Sequence, residues 1–335
     1  MTPERRRVSV LPWASALLVG GIVAALVAAT WQPAPFDVSR DNPVVTARAL
    51  PPAGDPPALM LPKTPGSLRF AVMGDTGRGD SRQYDTAAEM ARWHERFDFA
   101  FVLMLGDNNY GTGSHDDYAL RFERPYKALL DQGVEFRAAL GNHDPPDQQH
   151  YAPFNMGGHR YYSFEREHGV MAPIAPRRVH FFALDTVTLD PAQVAWVAEQ
   201  ITASTADWKI AFFHHPIYTS GRYQRAARLL RMTLEPIFVN AGLDVAFAGH
   251  EHVYERIVPQ HGIQYFTSGA GGALRPHDLG ETTITAAGYD ADTHFLLIEI
   301  AGDTLHFQAV SRTGATVDAG RVERVRAARP GEAAR

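Results

Sequence analysis

Short, nearly continuous apolar runs recur along the chain, and each is followed by polar, turn-forming residues. The runs are Leu68–Met73, Phe99–Leu105, Phe136–Leu140, Val179–Leu184, Lys209–Phe213, Val245–Ala248 and Ile263–Thr267. Runs of this length without alternation are typical of strands buried on both faces of a sheet. Two later runs, Phe295–Ile300 and Leu305–Ala309, flank a Gly-Asp pair and predict an antiparallel hairpin.

Amphipathic helical patterns separate many of these runs. They cover Thr86–Arg96, Tyr118–Leu130, Gln193–Ser204 and Arg225–Asn240. Asp85 and Asp190 are candidate N-terminal caps, and Pro191 suits the first turn of a helix. Alternating strands and helices predict an α/β architecture in which helices cover a sheet or a pair of sheets.

The N-terminal residues predict export. Arg5, Arg6 and Arg7 precede an uncharged stretch from Val8 to Phe36 whose apolar part is long enough to span a bilayer. Residues 1–30 are therefore predicted to be a signal anchor or a cleavable signal peptide. Either form leaves the rest of the chain outside the cytoplasm, anchored to the membrane through this segment or secreted.

Three further segments follow from composition. Residues 31–66 are rich in proline and predict a semi-rigid linker. Residues 67–321 contain the strand and helix patterns and predict one globular domain. Residues 322–335, rich in Ala and Arg, predict a disordered tail.

Charge and cysteine content exclude several classes of function. The 335 residues include 32 Lys or Arg and 37 Asp or Glu, so the formal net charge is -5. A nucleic-acid-binding protein would need clustered positive charge, and none is predicted here. The chain has no cysteine, which excludes disulfides, thiolate metal sites and cysteine nucleophiles. Any metal must therefore be bound by His, Asp, Asn or Tyr.

Candidate metal-binding side chains follow five of the strand-like runs. The groups are Gly74–Gly77, Gly106–Tyr110, Gly141–Asp144, His214–Pro216 and Gly249–His252. Ligands of open α/β sheets bind just beyond the carboxyl ends of the strands, so the five groups should converge on one rim. Each group alone is typical of an ordinary turn. Their order and position together predict a metal site.

This set of motifs resembles the calcineurin-like metallophosphoesterase superfamily from about Leu68 to about Asp318. Most of the superfamily places His two residues after the first Asp, where this chain has Gly77. Purple acid phosphatases compensate with a tyrosine three residues after the second Asp, and here that residue is Tyr110. The chain is therefore similar to the purple, tartrate-resistant-type acid phosphatases. The resemblance implies a β-sandwich flanked by helices (α/β/β/α) over residues 67–321, preceded here by the N-terminal hydrophobic helix.

The resemblance also implies two metal ions that share one carboxylate. The residues implied for the first ion are Asp75, Asp107, Tyr110 and His252. The residues implied for the second ion are Asp107, Asn142, His214 and His250. The first set suits Fe(III) because three of its ligands are anionic oxygens, and the second suits a divalent ion such as Zn, Fe or Mn. Asp107 would bridge the two ions.

The implied reaction is hydrolysis of phosphate monoesters by a metal-bound hydroxide. His143 would stabilise the phosphate and protonate the leaving group, and Asp144 would orient His143 or its loop. The predicted substrate contacts are Asn142, His143, His215 and Arg222. Relatives place a further His in the loop after Pro216, but this loop has none, so Arg222 or Tyr223 is the candidate to contact phosphate instead.

Two alternative functions stay open. A phosphodiesterase acting on nucleotides or phospholipid headgroups would use the same metals and ligands. A non-catalytic surface-binding module on the same fold would normally have lost ligands, whereas all seven expected ligands are present.

Overall fold

The computed structural model describes residues 58–169 and 176–324. The strands are β1 (Leu68–Met73), β2 (Phe101–Met104), β3 (Glu135–Ala138), β4 (Tyr162–His168), β5 (Arg177–Ala183), β6 (Trp208–Phe213), β7 (Val245–Ala248), β8 (Tyr254–Ile257), β9 (Gln264–Ser268), β10 (Thr285–Tyr289), β11 (His294–Ala301), β12 (Thr304–Ser311) and β13 (Thr316–Glu323). The helices are α1 (Ser81–Phe97), α2 (His115–Tyr118), α3 (Lys127–Leu130), α4 (Pro191–Ala203) and α5 (Gln224–Ala241). The predicted signal segment, most of the linker and the tail from residue 325 onward lie outside the described residues.

The strands form two mixed sheets. The first has the order β13-β12-β11-β1-β2-β3, and the second has the order β10-β8-β9-β7-β6-β5-β4. Strands β1, β2 and β3 are parallel to one another, and so are β5, β6, β7 and β9. Parallel strands need crossover connections, which is why the helices fall between them in sequence. The predicted hairpin is confirmed, since β11 pairs antiparallel with β12 through Gly302 and Asp303.

The main core lies between the two sheets. Phe70 of β1 packs edge-on against Phe181 of β5 and Phe247 of β7, with ring centroids 5.4 and 6.4 Å apart. All three rings are fully buried. A second apolar cluster joins Val197 of α4 and Phe238 of α5 to the outer face of the second sheet. The expectation of an α/β fold built on paired sheets is therefore confirmed.

Two helix predictions need correction. Helix α1 starts at Ser81, and its N-cap is Asp80, whose side chain accepts a hydrogen bond from the Gln83 amide at 3.3 Å. Asp85 instead lies within the helix and forms an ion pair with Arg312 at 3.0 Å. The predicted helix Tyr118–Leu130 is divided into α2, a π-helical turn and α3. Pro125 stands between the turn and α3, and proline has no amide hydrogen to continue a helical ladder.

Four strands were not predicted, namely β4, β8, β10 and β13. Strands β4 and β13 have mostly half-exposed side chains, so they lack the continuous apolar run that marked the buried strands. The end of the predicted linker also belongs to the packed domain. Leu61 is buried, and the side chain of Gln308 donates to the Ala58 carbonyl and accepts from the Met60 amide. Within residues 58–169 and 176–324, no helix has the length and apolar character that crossing a membrane requires.

Candidate metal centre

The predicted ligand groups converge on one rim of the sandwich, at the carboxyl ends of the parallel strands. Backbone hydrogen bonds join their loops: the Asp75 amide donates to the Gly106 carbonyl at 2.9 Å, and the Gly249 amide donates to the His214 carbonyl at 2.9 Å. The His250 amide donates to Asp75 Oδ2 at 2.7 Å. The loops therefore hold one another in place.

Three candidate ligands have left-handed backbone conformations. The φ angles are 56° at Asp75, 52° at Asp107 and 68° at His250. Non-glycine residues rarely adopt such angles, and residues that do so are concentrated at functional sites, where the surrounding structure stabilises the strain. Each sits immediately after a glycine at the end of a strand.

One group of side chains, which we call the first cluster, consists of Asp75, Tyr110 and His252. Asp75 Oδ1 lies 3.2 Å from His252 Nε2. The Tyr110 hydroxyl lies 3.4 Å from each of these two atoms. Three potential ligand atoms from three separate loops thus face a common point.

A second cluster consists of Asn142, His214 and His250. His214 Nε2 lies 3.0 Å from Asn142 Oδ1 and 3.1 Å from His250 Nδ1. His214 Nδ1 lies 2.9 Å from the Leu105 carbonyl, which only accepts, so Nδ1 carries the hydrogen. In the neutral ring Nε2 then presents a lone pair toward the other two residues. Converging lone pairs are suited to a cation, and a second hydrogen bond of this kind is the usual way of orienting a metal-binding histidine.

Asp107 lies between the two clusters. Its Oδ1 accepts a hydrogen bond from the His143 amide at 2.8 Å and lies 3.4 Å from His214 Nε2. Its Oδ2 is buried and has no hydrogen-bond partner among the described residues. Potential ligand atoms of Asp75, Asp107 and His214 all lie within 4.8 Å of one another. A buried carboxylate oxygen without a donor is costly, so this arrangement fits a bridging ligand to a metal pair.

The electrostatics of the rim also fit bound cations. Burial raises the pKa of Asp75 to about 8, the nearby His214 opposes this effect, and Asp107 adds to it. Removal from water, followed by the charges of Asp107 and Asp75, raises the pKa of Tyr110 well above its usual value. Burial lowers the pKa values of His250 and His252 well below the ordinary range, which keeps both imidazoles in the neutral form that binds metals.

The exchange of histidine for glycine at position 77 has a steric basis. A Cβ atom at Gly77 would lie 2.3 Å from the carbonyl group of Asn108. The Tyr110 amide donates to the Gly77 carbonyl at 3.0 Å, so the loop that carries the tyrosine crosses directly over the glycine. A side chain at position 77 would displace that loop. The position of the Tyr110 loop therefore requires a glycine at position 77.

Asp144 links two loops of the rim. Its carboxylate accepts hydrogen bonds from the amides of Asn108, Asn109 and Gly141 at 2.6, 2.9 and 2.7 Å. These bonds join the loop after β2 to the loop after β3. The role of Asp144 in orienting His143 or its loop stays a prediction. His143 is half-buried, and its ring centroid lies 4.9 Å from that of Tyr110. The structure therefore brings His143 beside the first cluster.

Two predicted substrate contacts lie in different surroundings. His215 is buried, its Nδ1 lies 3.1 Å from the Thr186 carbonyl, and its ring centroid lies 4.5 Å from that of His250. A ring nitrogen of His215 also lies within 4.8 Å of ligand atoms of His214 and His250, so His215 borders the second cluster. Arg222 is paired with Asp278 at 2.8 Å, and its side chain is 54% exposed.

One residue near the rim was missed by the sequence reasoning. Arg275 Nη2 lies 3.4 Å from His252 Nε2, and Nη1 donates to the His250 carbonyl at 3.2 Å. Arg275 follows a glycine-rich segment, Gly269–Gly272, but nothing in the local pattern marks the arginine itself. Only the path of the loop after β9 brings it to the ligands.

Comparisons with known proteins point to one family. The family model for calcineurin-like phosphoesterase matches residues 68–254. Human tartrate-resistant acid phosphatase type 5 is 28% identical over 258 residues, which cover 65% of this chain and 78% of that protein. The structure of purple acid phosphatase PPD1 from yellow lupin seeds superposes with a TM-score of 0.63 at 18% identity, covering 78% of this chain and 55% of that one. The structure of GAP50, the anchor in the inner membrane complex of Plasmodium, superposes with a TM-score of 0.68 at 18% identity, covering 78% of this chain and 90% of that one. At these identities the two structures show a shared fold.

Proposed function

We propose that this chain, which belongs to the calcineurin-like phosphoesterase family, is a phosphatase of the purple acid type that hydrolyses phosphate monoesters at a dinuclear metal centre. The observation that carries the proposal is the position of Asp107. Its unpartnered, buried oxygen lies between two clusters whose ligand atoms already face common points. A binding module without catalytic activity would have no need to keep this full set of donors together.

The donor sets support different ions at the two positions. The first cluster, with a carboxylate and a phenol, would hold Fe(III), and the second, with two imidazoles and an amide, would hold a divalent Zn, Fe or Mn ion. Asp107 would contact both. When bound, such a pair lowers the pKa of water and neutralises the charge that develops on phosphate.

The protein's own residues orient the substrate and move protons. His143 is half-buried beside the first cluster, and its amide is held by Asp107 at 2.8 Å. From this position its ring would donate to a phosphate oxygen and pass a proton to the leaving alcohol. Asp144 holds the two loops that carry Asp107 and His143 at a fixed separation, so its contribution is to position them.

A metal analysis combined with a small substrate panel tests this proposal. The purified protein should contain two metal ions per chain and should hydrolyse an aryl phosphate monoester faster than the matching diester. A preference for the diester would instead favour the phosphodiesterase alternative. Protein that takes up no metal from an iron- and zinc-supplemented medium would overturn the proposed centre.

We also propose that the catalytic domain works outside the cytoplasm. The support is the run of three arginines followed by the uncharged stretch at the N-terminus. Protease added to intact cells or spheroplasts should digest the domain. Digestion only after lysis would contradict this topology.

A further inference from the structure

The opening of the metal centre is bordered by the segment 273–280, which we call the 275 loop. Its backbone is tied to both sides of the first cluster. The Arg275 amide donates to the His252 carbonyl at 3.1 Å, and the Ala273 amide donates to the Asp75 carbonyl at 2.9 Å. At its far end the Gly280 amide donates to the Ser220 carbonyl at 3.1 Å. The backbone of Arg275 is thereby held at a fixed place beside the ligands.

The guanidinium of Arg275 is directed at the centre. Its Nη2 lies 3.4 Å from His252 Nε2, and the guanidinium carbon lies 5.2 Å from the centre of the Tyr223 ring. The ring of Tyr223 in turn lies 4.4 Å from that of His250. Buried Glu251 lies 3.5 Å from Nη1, and the arginine side chain is only 18% exposed. The cation is therefore shielded from bulk water and faces the two histidines.

A cation in this place favours a further anion at the opening. A metal ion at the first cluster and the guanidinium would repel each other at short range, and the repulsion is strong where water is excluded. Glu251 and Asp278 offset part of this repulsion, but their contacts with Arg275 are long, at 3.5 and 3.9 Å. Both carboxylates also have other partners, since Glu251 Oε1 accepts from the Tyr223 amide at 2.8 Å and Asp278 pairs with Arg222 at 2.8 Å. A phosphate group bound at the opening would neutralise both cations, and arginine is well suited to bind phosphate through two parallel hydrogen bonds.

We infer that Arg275 is a substrate-binding residue that contacts the phosphate of the ester and favours the doubly charged monoester. It supplies from the loop after β9 a phosphate-binding group in place of the histidine that the loop after Pro216 lacks. Of the two candidates in that loop, Arg222 is paired with Asp278 at 2.8 Å, and the ring of Tyr223 packs 4.4 Å from that of His250. The inference rests on the proposed function and narrows its substrate class, because a phosphodiester carries one charge fewer to bind the arginine.

The test compares Arg275→Ala and Arg275→Lys with a matched control, Arg256→Ala. Arg256 is 23% exposed, pairs with Asp318 at 2.7 Å and lies 5.2 Å from the ring of Phe307, so its surroundings resemble those of Arg275 without metal ligands nearby. Arg275→Ala should raise KM for an aryl phosphate monoester by about 10–100-fold, the usual value of a hydrogen bond to a charged group. Both kcat and metal content should change much less.

The charge dependence of the effect separates substrate binding from a structural role. In Arg275→Ala the KM for the matching diester should rise less than the KM for the monoester, and Arg275→Lys should fall between wild type and Arg275→Ala. Calorimetric titration of the metal-loaded protein with inorganic phosphate should show the highest affinity for wild type, a lower one for Arg275→Lys and the lowest for Arg275→Ala. Arg256→Ala should leave phosphate affinity unchanged even where it lowers Tm.

Two results would overturn the inference. One is an Arg275→Ala protein with wild-type phosphate affinity and an unchanged ratio of monoester to diester KM. The other is loss of metal or of Tm in both Arg275 variants, with KM and phosphate affinity unaltered in the folded fraction. Failure of the proposed function can be told apart from failure of this inference. If the proposed function is wrong, wild-type protein should hydrolyse neither ester. The phosphate titration would then decide by itself whether Arg275 binds phosphate.

Discussion

The two clusters of the centre differ in the protonation and charge of their candidate metal ligands. In the first cluster, Asp75 and Tyr110 both have raised pKa values, to about 8 for the carboxyl and well above the usual value for the phenol. An ion that binds there must displace protons, which favours a highly charged one. The second cluster offers one amide oxygen, from Asn142, and two imidazole nitrogens, from His214 and His250. Neutral amide and imidazole groups bind a metal without losing a proton, so a divalent ion suffices there. The difference supports the proposal that the two positions would hold unlike ions.

The clusters also differ in how they are supported. His214 of the second cluster is oriented by the Leu105 carbonyl, and the ring of buried His215 lies 4.5 Å from that of His250. The first cluster is hydrogen-bonded to the backbone of the 275 loop and depends on the close approach of the Tyr110 loop to Gly77. The two clusters thus have different supporting contacts. Substitutions should separate the two.

Asp107 is the proposed ligand that both clusters share, so replacing it should have the largest effect on metal content and hydrolysis. Asp107→Asn takes away the bridging charge, so both ions should be lost or underfilled and hydrolysis should nearly vanish. Metal analysis and an aryl phosphate assay measure this directly, with Asp116→Asn, a fully exposed carboxylate, as the control. Two tightly bound metals with near-wild-type turnover would show that the bridge lies elsewhere.

Replacing His214 should break only the second cluster. His214→Ala removes the nitrogen that faces both Asn142 and His250, so one equivalent of divalent metal should be lost while iron at the first cluster is retained. Turnover should fall severely, because phosphate would be left with one ion. Metal analysis together with the visible spectrum of the iron distinguishes the two positions. Loss of iron alone would reverse the assignment.

Replacing His143 should leave both clusters intact. His143→Ala should lower turnover by about 10²–10⁴-fold, the usual contribution of a positioned acid or base, with unchanged metal content. A variant that loses a metal would identify His143 as a ligand and would place the proton donor elsewhere.

Replacing Tyr110 should have the smallest effect on rate and the clearest spectroscopic effect. A phenolate bound to iron(III) should give the wild-type protein a broad visible charge-transfer band. Tyr110→Phe keeps the ring and its packing but removes the oxygen, so the band should disappear while Asp75, Asp107 and His252 retain an ion. Iron must be supplied during expression and measured in the purified protein, because a zinc-loaded protein would show no such band. A band that survives in Tyr110→Phe would exclude Tyr110 as a ligand.

Much of the fold followed from local pattern. The apolar runs that became β1 and β7 were predicted at their observed limits, because strands buried on both faces leave an unbroken apolar signal. Strands β4 and β13 were missed because their half-exposed side chains are chemically indistinguishable from loop residues. The start of α1 was predicted too late because Asp85 was the only cap candidate identified for it, whereas the Asp80 side chain accepts the Gln83 amide hydrogen.

The sequence by itself determined the ligand types and their order, since carboxylate, amide and imidazole groups each follow a strand and parallel strands bring their ends to one rim. It could not place Arg275 or reassign Arg222. Local pattern reports on neighbours along the chain, whereas the positions of these two side chains depend on contacts between separate loops. Backbone hydrogen bonds fix the 275 loop against His252 and Asp75, and Asp278 pairs with Arg222. Which arginine lies beside the candidate ligands was therefore decided by tertiary structure alone.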